Sequence, residues 1–299
     1  MINISDILSE QIGKAAVLIE ALPYLQAFRG KTFLVKVGGS AMDDKELVKN
    51  LMRDVVFLEA VGINPVLVHG GGRAISAAMK KSGLDAKFIG GQRVTCEKSI
   101  SIVEDTLGRK VNGQLVQMLK DAGAKATGVS GREVFLGERM QGRDEITGEP
   151  ADLGFVGRVA DVDPDKVLAF AAYETVPVVS PLASERDSGH ALNVNADLAA
   201  SALGSKLKAS KLVYLSDVLG VMRDPSDPTT LIHTIKQSEI EPLIADGTIT
   251  GGMIPKLRSA STAIDAGVGK VHMIDGRFPH SLLLEIFTKS GVGTEIVPD

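Results

Sequence analysis

Thr32-Phe33-Leu34-Val35-Lys36-Val37-Gly38-Gly39-Ser40 is an apolar run broken by one lysine and closed by two glycines. Behind it Leu47, Leu51, Val55 and Leu58 recur at helical spacing. The pattern returns in Pro65-Val66-Leu67-Val68-His69-Gly70-Gly71-Gly72, followed by Ile75, Ala78 and Met79. Strand, glycine turn, helix is how an α/β protein presents bare backbone N–H groups to an anion. Two such turns, with Lys36 just ahead of the first, predict a phosphate site beyond the C-terminal ends of parallel strands. Neither turn has the spacing of a P-loop or of a dinucleotide-binding fingerprint.

Working outward, strand and helix patterns alternate, which reads as a mostly parallel sheet covered by helices. A long helix is expected over 97–122, stopped by Gly123. Residues 131–163 break the alternation. Short strands at 134–137 and 154–159, with the polar, glycine-containing stretch 141–150 between them, read as a hairpin at a sheet edge. Asp163-Pro164 opens a helix, and 176–180 is a strand. The second half restarts at Asn193-Val194-Asn195-Ala196-Asp197 and continues as an Ala-rich helix to about residue 207. Strands follow at 212–217 and 271–274, and helices after Thr250-Gly251-Gly252 and at 281–288. Ser238 and Glu241 have capping-box spacing before Leu243. Ahead of the first strand, Ile4, Ile7, Leu8, Ile12, Ala15, Ala16 and Ile19 form a helical stripe. Asn3 or Ser5 is its candidate cap, and Pro23 should end or kink it. The organisation predicted is a helix over 1–30, then lobes over 31–185 and 186–299.

The chain has 299 residues, is 44% hydrophobic and carries a formal charge of −4. No basic surface points to nucleic acid or anionic lipid. Five histidines and one cysteine, Cys96, provide neither a disulfide framework nor a zinc spacing, so no protein-held metal is expected. Cys96 reads as a small structural hydrophobe. No apolar run approaches the ~18 residues of a membrane span, and Asp6 and Glu10 interrupt the N-terminal pattern where a secretory signal would be apolar. A cytoplasmic protein is expected.

Lys36 inside an apolar strand is costly unless it is paired or faces a ligand. Lys256 stands at a helix start, the end that cations avoid, which makes sense if an anion lies between them. Asp197 is a carboxylate suited to holding both lysines, though an acid is also favoured at a helix start for the dipole alone. Asn193 and Asn195 are neutral donors, and Arg93 has the planar fork that grips a carboxylate. His69 ends an apolar strand and reads as structural.

Taken in order, Lys36-Val37-Gly38-Gly39-Ser40, His69-Gly70-Gly71-Gly72, Arg93-Val94-Thr95, Asn193-Val194-Asn195-Ala196-Asp197, Leu215-Ser216-Asp217-Val218-Leu219-Gly220-Val221 and Gly251-Gly252-Met253-Ile254-Pro255-Lys256 resemble the acetylglutamate kinases of the amino acid kinase family. The resemblance covers about 30–299. It implies a three-layer αβα sandwich with a mostly parallel central sheet, preceded here by a kinked helix. It implies ATP-dependent phosphorylation of the side-chain carboxylate of N-acetyl-L-glutamate, in arginine biosynthesis, with Mg²⁺ held mainly by the nucleotide's phosphates. Carried over by motif, Lys36 and Lys256 stabilise the transferring phosphoryl, Asp197 orients them and the Gly39 N–H contacts the same group. Gly71, Gly72, Arg93 and Asn193 hold acetylglutamate. ATP lies against Asp217, Val218, Leu219, Gly220, Val221 and Met222 and against Thr248, Ile249 and Thr250. The extension and tail resemble the arginine-inhibited hexamers of this group, trimers of dimers, with Tyr24, His280 and Glu285 as candidates for an arginine site. Some enzymes of this type are controlled by a PII signalling protein, which the sequence leaves open. Alternatives are another carboxylate or carbamate kinase of the family, or a non-catalytic amino-acid sensor on the same scaffold.

Overall fold

The computed structural model describes residues 4–42, 44–143 and 149–299. In chain order the elements are α1 (Ile4–Phe28), β1 (Thr32–Val37), α2 (Lys45–Ala60), β2 (Asn64–His69), α3 (Gly72–Lys81), β3 (Phe88–Ile89), β4 (Gln92–Arg93), α4 (Glu97–Glu104) and α5 (Asn112–Asp121). There follow β5 (Lys125–Val129), β6 (Phe135–Arg143), β7 (Pro150–Val162), α6 (Asp165–Ala172), β8 (Thr175–Val179), β9 (Leu182–Glu185), β10 (Ala191–Val194) and α7 (Ala196–Lys206). The rest are β11 (Lys211–Ser216), β12 (Thr234–Lys236), α8 (Ile240–Ala245), α9 (Met253–Asp265), β13 (Lys270–Asp275), α10 (Ser281–Phe287) and β14 (Thr294–Val297).

An 8-stranded sheet in the order β12-β14-β13-β11-β1-β2-β8-β5 forms the middle layer, and β13–β14 is its antiparallel pair. β1 sits centrally between β2 and β11. Side chains alternate across a strand, and the two cores follow that alternation. Leu34, Val66, Val68, Leu212 and Tyr214 face α6, α7 and α9. Phe33, Val35, Val37, Leu67, Val213 and Leu215 face α1, α2, α5 and α10. Both faces are covered, so β1 is apolar from Phe33 to Val37 except at Lys36. That residue shares the face of Leu34, which is the face on which α7 packs.

The α2 helix shows the local logic. Asp44 caps it by accepting from Glu46 N at 2.8 Å and Leu47 N at 3.2 Å, a bond pair worth about 1 kcal/mol. Its buried face is Val48, Leu51, Met52, Val55 and Leu58, and each large side chain taken out of water contributes about 1.5–3 kcal/mol.

Several expectations need correction. β6 and β7 are not at the edge of the central sheet: with β9 and β10 they close into a separate small barrel. Register breaks between Leu136 and Gly137 and between Arg139 and Gln141 curl the long hairpin onto itself. The expected helix over 97–122 is one continuous rod, α4 through α5, but its middle, Asp105–Val111, is a π-helical turn. Ser238 caps nothing; its hydroxyl bonds Asp299, and Glu239 accepts from Lys236 N at 2.7 Å ahead of α8. Pro23 does not end α1, which runs on to Phe28. Cys96 is exposed, at the N-cap position of α4. Asn3 lies outside the described residues, as does much of the stretch between β6 and β7. Among the described residues no helix is long and apolar enough to cross a membrane.

The end of α1 packs on the body through Tyr24, Leu25 and Phe28. Further out, Leu8, Ile12, Val17, Leu18 and Ile19 are each more than half exposed.

Candidate functional site

A cleft of about 590 Å³ opens beyond the C-terminal ends of β1, β2 and β10. Its lining includes Lys36, Gly39, Gly71, Gly72, Arg93, Asn193 and Asp197, residues far apart in the chain. The sheet's alternation sends Lys36 toward α7, where Asp197 sits in the first turn. Lys36 Nζ lies 2.8 Å from Asp197 Oδ1, both half-buried. A Cβ on Gly38 would overlap the Lys36 ammonium, so the first turn needs glycine there to let the lysine fold back over it. Gly39 follows at φ +66°, which only glycine adopts freely.

The second turn uses its glycines differently. Gly71 is the residue ahead of α3, at φ 168° and ψ 21°. Its constraint is a close approach: a Cβ there would press into Leu107 of the π-helical turn. Gly72 opens α3, whose first N–H groups have no partner within the helix.

Arg93, 8% exposed, stands behind this turn. Its Nη2 donates to Gly72 O at 2.9 Å and to Ser76 Oγ at 2.8 Å, and its guanidinium lies 4.7 Å from the centre of the Phe88 ring. Burial pulls its pKa down from the ordinary arginine value. Asn193 Nδ2 donates to Thr95 Oγ1 at 3.2 Å, which ties the Arg-Val-Thr segment to the second half of the chain. Asn195 caps α7, its Oδ1 accepting from Asp197 N and Leu198 N, so its carbonyl oxygen is committed to the helix.

Lys256 is not part of the cleft lining, and among the described residues no ion pair joins it to Asp197. Its position is nonetheless fixed. Helices α7 and α9 lead into the parallel neighbours β11 and β13, so their N-termini share one end of the sheet. Ser201 Oγ donates to Ser259 O between them at 3.4 Å. Asp197 and Lys256 each lie about one turn ahead of that contact. Behind Asp197 the buried Tyr214 hydroxyl donates to its backbone carbonyl, and burial pushes that phenol well above its ordinary pKa.

The loop after β11 carries Asp217 (exposed), Val218, Leu219, Gly220, Val221 and Met222. Val221 N donates to Thr294 Oγ1 at 2.8 Å. Ile249, between Thr248 and Thr250, and Val221 both belong to the core on the α6, α7 and α9 face of the sheet. Sequence reasoning missed Phe88, Ser76, Leu107, Val111 and Gln114 on the cleft wall. Only the aromatic Phe88 one hairpin turn before Arg93 offered a signal.

A second pocket, about 400 Å³, lies at the opposite end of the sheet, where β11 and β13 begin. Tyr24 and Phe28 of α1 form one wall, with Lys211, His272 and Glu285 opposite. Lys211 Nζ bonds His272 Nε2 at 2.9 Å, and His272 Nδ1 bonds Glu285 Oε1 at 2.7 Å. Since the ammonium can only donate, Nδ1 carries the imidazole proton. Glu285 Oε2 accepts from Val292 N and Gly293 N. Burial pulls Lys211 down to about 8. Of the three arginine-site candidates, the structure brings Tyr24 and Glu285 together. His280 is not in the lining: at the other end of α10 its Nδ1 bonds Asp54 at 2.6 Å, and burial lifts that carboxyl to about 6. Lys211 and His272 were missed because each sits singly at a strand start.

The amino acid kinase family model matches residues 31–275. Acetylglutamate kinase of Akkermansia muciniphila is 56% identical over 286 residues, 96% of each chain. That of Aquifex aeolicus is 45% identical over 97% of this chain and 99% of its own. Among solved structures, the N-acetylglutamate synthase of Neisseria gonorrhoeae complexed with coenzyme A and N-acetyl-glutamate superposes at a TM-score of 0.81, 26% identical over 95% of this chain. The same synthase complexed with coenzyme A and L-arginine superposes at 0.76. This chain spans 63% of that synthase's length in the first complex and 65% in the second. The fold and glycine turns define a member of a phosphoryl-transfer family. The chain belongs to the amino acid kinase family and, by full-length likeness, to the acetylglutamate kinases within it.

Proposed function

We propose that this chain transfers the γ-phosphoryl of ATP to the side-chain carboxylate of N-acetyl-L-glutamate, giving N-acetyl-L-glutamyl 5-phosphate and ADP in arginine biosynthesis. The observation that carries this reading is the convergence in one cleft of the Lys36–Asp197 pair, two glycine turns and the buried Arg93. The acceptor carboxylate is already ionised at neutral pH, so no base is required. What remains is to align two anions and neutralise charge as it develops.

In this reading Gly71, Gly72, Arg93 and Asn193 hold acetylglutamate in the 31–185 lobe and at its border. The 186–299 lobe holds ATP against residues 217–222 and 248–250. Lys36, the Gly39 N–H and Lys256 meet the transferring group, with Asp197 holding Lys36 in place, and Lys256 closes onto it from the N-terminus of α9. Among the described residues no three His, Cys, Asp or Glu side chains converge as a metal cage. Asp197 is already paired, so the donor set fits Mg²⁺ that arrives on the nucleotide. That ion supplies further neutralisation of the phosphates.

The second pocket is the proposed arginine site. Acidic and basic side chains lie together there under an aromatic wall, as a zwitterionic amino acid with a cationic side chain requires. The exposed apolar stripe of α1 supports pairing with a second copy of this chain and assembly as a hexamer. The enzyme is read as cytoplasmic. The deciding experiment is ADP release with acetylglutamate, glutamate, aspartate, carbamate or UMP as acceptor, repeated with arginine. Turnover with acetylglutamate alone, inhibited by arginine, is expected; preference for another acceptor overturns the substrate, and no turnover with any of them leaves the amino-acid sensor.

A further inference from the structure

His69, with no exposed surface, ends β2 directly ahead of the second glycine turn. Its Nδ1 lies 2.7 Å from Gly70 O. Its Nε2 lies 3.3 Å from Asn112 Nδ2, and that nitrogen is also 2.8 Å from Val178 O. The network admits one assignment. Carbonyl oxygens only accept, so the Asn112 amide donates to Val178 O and to Nε2, and Nδ1 carries the proton and donates to Gly70 O. Burial pulls the imidazole down to about 4, so it stays neutral. Asn112 is itself 3% exposed and is the first residue after the π-helical turn. Its Oδ1 occupies the space that a Cβ on Gly128 would fill.

The Gly70 carbonyl and the Gly71 N–H belong to one planar trans peptide and point in opposite directions. A carbonyl held from the core side leaves the N–H on the cleft side, where Gly71 is part of the lining. An imidazole with no exposed surface and a committed Nδ1 proton cannot serve as a general base.

We propose that Asn112 and His69 are positioning residues: Asn112 fixes the imidazole as its Nδ1–H tautomer, and the imidazole sets the Gly70–Gly71 peptide so that the Gly71 N–H meets an oxygen of the acceptor substrate. This rests on the reading of the cleft as the acetylglutamate site. It gives the π-helical turn a purpose beyond placing Leu107 against Gly71, because the turn also brings Asn112 into register with the imidazole.

Two substitutions at one position separate this role from space-filling. In His69→Asn the amide N–H falls where the Nδ1–H was and keeps the Gly70 bond. In His69→Gln the amide reaches the Nε2 position and abandons it. Asn112→Asp puts an acceptor beside Nε2 and reverses the tautomer. Steady-state kinetics should show the acetylglutamate KM within about threefold of wild type for His69→Asn, and raised about tenfold or more for His69→Gln and Asn112→Asp, with the ATP KM unchanged. Equal KM values for the Asn and Gln variants overturn the proposal. A second readout does not depend on the substrate: long-range ¹H–¹⁵N spectra of the histidine-labelled full chain should find His69 protonated at Nδ1. Protonation at Nε2 overturns the relay. Failure of the wild type to turn over acetylglutamate overturns the substrate reading instead, and the spectra then judge the relay alone.

Discussion

The cleft and the second pocket lie at opposite ends of the same sheet, and each has a buried neutral histidine beside it, His69 behind the second glycine turn and His272 in the pocket wall. His69 donates to a backbone carbonyl, whereas His272 donates to a carboxylate. The cleft combines aimed peptide groups with a few largely covered charges, Lys36, Arg93 and Asp197. The pocket is built from side chains bonded to one another. Backbone donors suit a group whose charge changes during reaction, because they cannot titrate away or swing aside. A linked set of titrating side chains suits a ligand that only binds and leaves.

The comparison is open to direct attack. Lys36→Ala should lower kcat by about a hundredfold or more with a smaller change in KM, while arginine binding measured by calorimetry stays unchanged. Normal turnover would remove Lys36 from the transfer step. Next in size is an acid effect. Burial holds His69 at about 4 in the folded chain against 6.5 unfolded, so between those values the unfolded state binds more protons. Stability from this residue is complete above pH 6.5 and is lost as pH falls toward 4. Relative to His69→Asn, the wild type should lose about 3 kcal/mol across that window, read from urea midpoints at each pH. Parallel curves would show that the imidazole is not held neutral. Arg93→Lys should raise the acetylglutamate KM by about tenfold to a hundredfold and leave the ATP KM alone, since the fork is lost but not the charge. Equal shifts would place Arg93 outside the acceptor site. Smallest, deletion of residues 1–26 should take a hexamer to a dimer in light scattering and weaken arginine inhibition by about tenfold, as Tyr24 leaves the pocket wall. A persistent hexamer would reject α1 as the joint.

Much of the cleft was legible in the sequence because it is built from strand ends. A lysine in an apolar strand breaks a local rule, and such breaks mark sites; the glycines after it and the acid at a helix start gain meaning only beside it. The central sheet was legible for the same reason, its strands being buried on both faces. What stayed hidden depends on contacts distant in sequence. Leu107 and Asn112 owe their placement to a π-helical turn that leaves no trace in periodicity. The barrel of β6, β7, β9 and β10 closes through bulges, and β12 and β14 are too short and polar to register as strands. His280 lies away from the second pocket because it precedes the short helix that carries Glu285, and only the fold tells which end of that helix faces the pocket.

The 25 residues of α1 make a rod about 38 Å long. Its last turns supply Tyr24 and Phe28 to the second pocket, while its outer turns hold the bare apolar stripe. One helix thus supplies a wall of that pocket at its end and an exposed apolar stripe further out. If the proposed assembly and arginine site hold, a lineage that sheds this segment loses association and a face of the second pocket in a single deletion, and the two traits should be gained and lost together.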